Sequence, residues 1–278
     1  MEAVTPPRLP LPALLAGLVI CAAAAGGAWW WLHAPQSSQV EIPVPPEPPR
    51  LTDSAEYERC LSLLREDSDA AMAYAEEWAG QGGGEGARHC SALAMIGLGA
   101  PERAAEQLER IARDSQASAA ARAAVLGQAG QAWMMAGDAA RAYGATTMAL
   151  TMEPQDTDLM TDRAVALAAM RRYSEALQEL DNVLRLDPDR VEAIVFRASA
   201  LRNLERVEDA MRAIQQALTA APDNPEALLE RGILHQLRGE EGAAREDWER
   251  VISVAPETPA AELAQQNLAL NEAGLPQR

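Results

Sequence analysis

Apolar and polar positions follow two different rules along this chain. From Ala13 to Leu32 the sequence ALLAGLVICAAAAGGAWWWL is apolar and carries no charge. From residue 51 onward apolar residues recur three and four apart, the spacing of one helix face, and that helical pattern itself repeats. Prolines fall at Pro154, Pro188, Pro222 and Pro256, each 34 residues after the last. A small residue stands twelve positions before each of them (Ala142, Ala176, Ala210, Ala244), and another twenty-four before (Gly130, Ala164, Ala198, Gly232). A fixed period in this range marks paired helices stacked as an array, because a lone unit cannot bury its own apolar face. Each proline ends a second helix: it has no N–H for the ladder and biases the preceding residue away from helix. The small residues let neighbouring helices approach closely.

The length and the order of residue types resemble the tetratricopeptide repeat. Leu126, Ala129, Gly130, Trp133, Ala142, Thr146 and Pro154 occupy its places in the first regular unit, and Met160, Arg163, Ala164, Leu167, Tyr173, Ala176, Leu180 and Pro188 in the second. Ile194, Ala198, Leu201, Ala210, Ile214 and Pro222 carry the third, and Leu228, Gly232, His235, Gly239, Ala244, Trp248 and Pro256 the fourth. The resemblance implies an all-α helix-turn-helix solenoid, with four regular repeats over 123–258. Residues 51–122 read as two degenerate helix pairs, one through Tyr57, Leu64, Ala71, Ala75 and Trp78, the other through Ala87–Leu98 and Pro101–Ala112. Gly80 to Gly86 between them read as a flexible turn, lacking the lysine and the strand that a phosphate loop needs. Residues 259–278 supply a capping helix and tail, with Leu263 and Leu268 among polar residues.

The uninterrupted apolar run predicts a transmembrane helix over 13–32, preceded by a short tail, 1–12. As a helix it spans about 30 Å, the thickness of a bilayer's hydrocarbon core. Trp29, Trp30 and Trp31 stand at its end, where indole rings favour the interface. A cleaved signal peptide is the rival reading, with Ala23 to Ala25 offering a cleavage site, and a lipoprotein signal at Cys21 is disfavoured by Ile20. Arg8 before the span, with no cation after it until Arg50, orients the N-terminus inward. Residues 33–50 are proline-rich and read as a semi-rigid stalk of roughly 50 Å when extended. The abundance of alanine, arginine, glycine and proline suggests a GC-rich, bacterial coding sequence, and with it these features lead us to expect a single-pass bacterial inner-membrane protein with its C-terminal part in the periplasm.

Charge narrows the partners. The net charge is −17 and the pI about 4.6, so a nucleic-acid backbone is repelled. All 24 basic residues are arginine. The absence of lysine removes phosphate-loop and Schiff-base chemistry. No nucleophile elbow, histidine-rich metal spacing or phosphate cradle is present, so the sequence predicts no enzyme, no metal and no cofactor.

In the resembled family the first helices line a concave groove. Counting places from residues 123, 157, 191 and 225, its stripe is places two, five, nine and twelve, one face of each first helix. That stripe reads Ala124, Gly127, Gln131, Met134; Asp158, Thr161, Val165, Ala168; Glu192, Val195, Ser199, Arg202; and Glu226, Leu229, Ile233, Gln236. Small or apolar residues form the floor and carboxylates one edge, which suits an extended or helical partner segment with apolar anchors and a basic flank. The family's grip on acidic C-terminal tails uses lysines and asparagines that this stripe lacks. Self-association, or a structural tether with no client, is the alternative use of the same surface, and a cytoplasm-facing scaffold, with the topology reversed, is the third reading.

Three further features carry rival readings. Cys60 and Cys90 sit on the first helices of consecutive units, where a disulfide, two buried thiols or a zinc set with His89 all stay open. Arg163, Arg197 and Arg231 recur at place seven; a ligand ladder or structural arginines neutralised by carboxylates such as Asp187, Asp189 and Asp223 would explain them, and the second is favoured. His235 has an inward phase and no titratable partner at helical spacing, which predicts a packed residue.

Overall fold

The computed structural model describes residues 50–272. The expected tail, membrane helix and nearly all of the stalk lie outside the described residues, and no described helix is long and apolar enough to cross a membrane. Thirteen helices and no strand make up the described chain. They are α1 (Ala55–Glu66), α2 (Ser68–Gly80), α3 (Gly84–Gly97), α4 (Pro101–Asp114), α5 (Ala119–Met135), α6 (Ala139–Met152) and α7 (Thr157–Ala169). There follow α8 (Tyr173–Leu186), α9 (Val191–Asn203), α10 (Val207–Ala220), α11 (Pro225–Leu237), α12 (Glu241–Val254) and α13 (Pro259–Glu272).

Local chemistry explains where these helices start and stop. Side-chain oxygens of Ser54, Asp67, Ser118, Asp138, Asp156 and Asn224 accept backbone N–H bonds at helix N-termini, each cap contributing about 1 kcal/mol. Ser118 moves the start of α5 to Ala119, ahead of the regular period at residue 123. The four phased prolines each stand two residues beyond a helix end, in the connections after α6, α8, α10 and α12. Within each regular repeat the turn between its helices passes through one left-handed residue, again at 34-residue spacing: Gly137 (φ 78°), Arg171 (φ 60°), Glu205 (φ 60°) and Gly239 (φ 74°).

Each helix packs on the next, and the remaining substantial pairings join odd-numbered helices only: α1 with α3, α5 with α7, α7 with α9, α9 with α11 and α11 with α13. The first helices therefore form the inner layer and the second helices the outer. Between the layers lie Leu108, Leu126, Trp133, Leu180, Ile194, Leu201, Ile214, Leu228, Leu234 and Trp248, all fully buried. Small residues set the spacing. Ala164, Ala198, Ala210 and Ala244 have no exposed surface, and a Cβ added at Gly130 would stand 2.7 Å from Thr146 Cγ2.

The glycine run before α3 differs from its expected role. Helix α3 begins at Gly84, leaving only residues 81–83 between helices. A Cβ at Gly83 or Gly86 would come within 2.7 Å or 2.6 Å of the Trp78 ring. Those glycines are the seat of an indole as well as a turn.

Candidate functional site

The inner face of α5, α7, α9 and α11 holds the predicted stripe, and its places behave differently. At place two, Asp158, Glu192 and Glu226 are exposed, while at place nine Gln131 is exposed and Val165, Ser199 and Ile233 are half-buried. Met134, Ala168, Arg202 and Gln236 at place twelve are half-buried. Place five turns into the seam between consecutive first helices: Gly127, Thr161 and Val195 are buried and only Leu229 is partly open. A Cβ at Gly127 would meet Leu159 Cδ2 at 2.7 Å. The stripe of the sequence reading thus includes one packing place, because consecutive first helices touch there.

Its missing member is place six, which holds Gln128, Asp162, Phe196 and Glu230. Place six is four residues beyond place two and lies on the same face. Asp162 accepts a hydrogen bond from Gln131 Nε2 at 3.1 Å. Glu230 accepts one from Arg202 Nε at 2.6 Å, so that guanidinium is committed across the α9–α11 seam. One signal stood in the sequence: place six carries Phe196, the single phenylalanine of the chain.

Two hollows open on this face. One of about 190 Å³ is lined by Gly130, Gln131, Met134, Ala142, Thr146, Asp162, Val165, Glu192 and Phe196. The next, about 370 Å³, is lined by Glu192, Val195, Phe196, Asn224 and Glu226. Phe196 and Glu192 are shared walls. At the last repeat, Asn271 Nδ2 of α13 donates to Gln236 Oε1 at 2.7 Å, which engages that place-twelve side chain.

The acidic edge is partly answered from within. Arg190, at the N-terminus of α9, places Nη2 2.5 Å from Asp158 Oδ1 and 3.2 Å from Glu192 Oε2. Among the described residues Asp162 and Glu226 have no ion-pair partner. Burial pushes the Asp162 carboxyl up to about 6; the Gln131 hydrogen bond and Arg190 oppose the shift, while Glu192 and Asp158 add to it.

The place-seven arginines each pair with a carboxylate of the array, though not with Asp187, Asp189 or Asp223. Arg163 meets Glu179 at 2.5 Å and Arg231 meets Asp247 at 2.5 Å, each sixteen residues on, in the second helix of the same repeat. Arg197 finds Ala213 at that spacing and turns back to Asp181 of the preceding repeat, at 2.6 Å. His235 does have a titratable neighbour: its Nδ1 lies 2.5 Å from Glu240 Oε2, across the turn.

At the other end, Cys60 and Cys90 form a disulfide with their Cα atoms 6.0 Å apart. His89 is buried beside it. Its Nε2–H donates to Gln128 Oε1 and its Nδ1 accepts from the Tyr57 hydroxyl, both at 2.6 Å. Burial lowers the histidine's pKa and raises that of Tyr57 to about 12. With both sulfurs bonded and both ring nitrogens engaged, the zinc alternative has no ligands. Among the described residues no three His, Cys, Asp or Glu are placed to hold a metal.

Helix pairs of fixed length, small residues at fixed places and an inner groove define a solenoid of helix-turn-helix repeats. Comparison with known proteins gives the repeat type: the family described as Tetratricopeptide repeat matches residues 161–225 and 197–261. Residues 161–261 therefore carry tetratricopeptide repeats. Among solved structures, it resembles pilF of Pseudomonas aeruginosa, at 17% identity and TM-score 0.57, over 77% of this chain and 96% of that one. TTC0263, a tetratricopeptide-repeat protein of Thermus thermophilus, aligns at 17% identity and TM-score 0.56, over 67% and 99% of the two chains. The Cut9–Hcn1 hetero-tetramer structure aligns at 15% identity and TM-score 0.60, over 77% of this chain and 42% of that one. At such identities the likeness is one of fold. No curated protein matches the chain in sequence.

Proposed function

We propose that this protein is a non-catalytic adaptor that holds a partner polypeptide in the inner groove of its repeat array, beside a membrane. The observation that carries the reading is the groove itself. Half-buried Val165, Phe196 and Ile233 stay partly open to solvent at its floor, next to Asp162 and Glu226, which make no direct ion pair among the described residues. An apolar floor with a carboxylate edge fits a segment that presents apolar anchors and basic residues. Tetratricopeptide repeats serve widely as protein-interaction scaffolds, which agrees with that use.

Tethering rests on sequence. The uncharged run from Ala13 to Leu32 supplies a membrane helix, and the proline-rich stalk gives the array reach. Arg8 favours a cytoplasmic N-terminus, hence a periplasmic array in a bacterial inner membrane, and a disulfide suits that oxidising compartment. A reporter fused to the C-terminus tests the side: activity of a periplasm-dependent reporter is expected, and activity of a cytoplasm-dependent one instead would reverse the topology. Charge reversal tests the groove. Glu226→Arg should weaken partner capture in native membranes, whereas Glu246→Arg on the outer layer should not; equal capture by both variants would remove the groove from the interaction. Capture of a second copy of this chain alone would mark a self-assembling tether.

A further inference from the structure

The smaller hollow exists for a reason written into one repeat. The second-helix places equivalent to Thr146 hold Leu180, Ile214 and Trp248, all fully buried large side chains. Here the same place holds only threonine, opposite Gly130, so the floor between α5 and α6 is shallowly filled and a hollow of about 190 Å³ opens. That is below the roughly 300 Å³ at which small-molecule sites begin. It suits a single side chain. Its walls are Met134, Val165 and Phe196, and its polar groups include the carboxylates of Asp162 and Glu192.

We propose that this hollow receives one basic side chain, arginine or lysine, of the partner polypeptide, and so sets which segment the groove accepts. The inference rests on the groove being a polypeptide site. Charge complementarity selects the occupant. Arg190 pairs directly with Glu192 and Asp158 at the edge, whereas Asp162 has the Gln131 amide as its hydrogen-bond partner and feels Arg190 only at longer range. A cation there gives a partly desolvated carboxylate the direct ion pair it lacks among the described residues. Its methylene stem lies against Met134 and Val165, and the Phe196 ring offers a face for the cation. An acidic side chain would instead bring a like charge beside Asp162 and Glu192, and an apolar one would desolvate Asp162 further without pairing it.

Proton competition follows. The groups facing Asp162 are Gln131 from α5, Asp158 on its own helix, Glu192 on α9 and Arg190 at the start of α9. Held at about 6, the Asp162 carboxyl is charged at neutral pH and largely protonated at pH 5. The hollow therefore prefers its cation above that range.

Because Phe196 is the only phenylalanine, incorporating 4-fluorophenylalanine places a single fluorine reporter in the wall. The full chain in detergent is titrated into the millimolar range with N-acetyl-arginine methylamide, and with the neutral citrulline analogue. A saturable fluorine shift is expected for the arginine probe only, with affinity about tenfold weaker at pH 5 than at pH 7.5, one pH unit below the carboxyl's value. Asp162→Asn, which preserves shape and a partner for Gln131, should abolish both the binding and its pH step. Equal shifts from the citrulline probe, no shift at all, or an unaltered response in Asp162→Asn would each overturn the assignment. Should the probe fail while a partner still crosslinks to the groove at Val165, the basic-side-chain hollow falls and the groove reading stands. If both fail, the groove reading falls with it.

Discussion

Trp248 lies across Gly232 so closely that a Cβ built on that glycine would stand 2.3 Å from the indole Nε1 and 2.6 Å from Cδ1. Helix α11 can approach α12 only because place eight has no side chain there, and the largest residue of the outer layer fills the room. In the two preceding repeats alanine holds place eight and leucine or isoleucine the facing place. The exchange of volume keeps the layers in register while individual residues change.

Gly232→Ala should therefore destabilise the last repeat, although alanine favours helix by about 0.5–1 kcal/mol over glycine. Three indole atoms within 2.9 Å must move, and overpacking of this kind costs about 1–3 kcal/mol. Thermal unfolding should show a lowered midpoint and altered Trp248 fluorescence.

The left-handed turn residues give the opposite sign. Arg171 and Glu205 hold φ 60° where the first and fourth repeats have glycine. A left-handed conformation costs an L side chain about 1–2 kcal/mol, against glycine's smaller entropic penalty. Arg171→Gly and Glu205→Gly should each raise stability by about 0.5–1 kcal/mol in urea unfolding. Arg171 makes no side-chain bond that the change would remove among the described residues.

Reduction should loosen the N-terminal repeats. The Cys60–Cys90 disulfide closes a loop of 30 residues, worth about 3–4 kcal/mol on the chain-entropy account. Under reductant, or in Cys60→Ser/Cys90→Ser, amide exchange should accelerate in α1 to α3 while α9 to α12 keep their protection, since each repeat leans only on its neighbours.

Asp162 should make stability fall as pH rises. Its folded value, about 6, lies above the ordinary 3.8, so between those values the folded chain binds the proton more tightly and loses that advantage as pH passes 6. His89 acts the other way: its folded value is lowered, so its contribution grows with pH toward the unfolded value near 6.5. Comparing the chain with Asp162→Asn isolates the first effect. The variant should be more stable at pH 7, by about 1–2 kcal/mol after allowance for partial solvation, and nearly equal at pH 4.

The repeat architecture was legible because steric places recur. Proline after each second helix and small residues at places eight and twenty can be read without coordinates. The groove was legible only in part. Helical phase identifies a face, but it does not tell which edge of that face the next repeat covers, so phase alone puts buried Thr161 and Val195 at place five among open positions and omits Asp162 and Phe196 at place six. Arg197 shows the same limit. Its neighbours Arg163 and Arg231 find carboxylates sixteen residues on, and only the packing of adjacent repeats reveals that Arg197 reaches backward to Asp181. The bond from α13 to Gln236 is likewise a tertiary event. The glycines near Trp78 read as a turn because nothing local announces the indole that needs them.

The central claim is that the inner groove holds another polypeptide, and site-specific photo-crosslinking in native membranes tests it most directly. A photoreactive residue at Val165 should yield a discrete adduct with a different polypeptide, weakened by Glu226→Arg, while the same residue at outer-layer Gln178 yields none. No adduct from Val165, or the same adducts from Val165 and Gln178, would contradict the account.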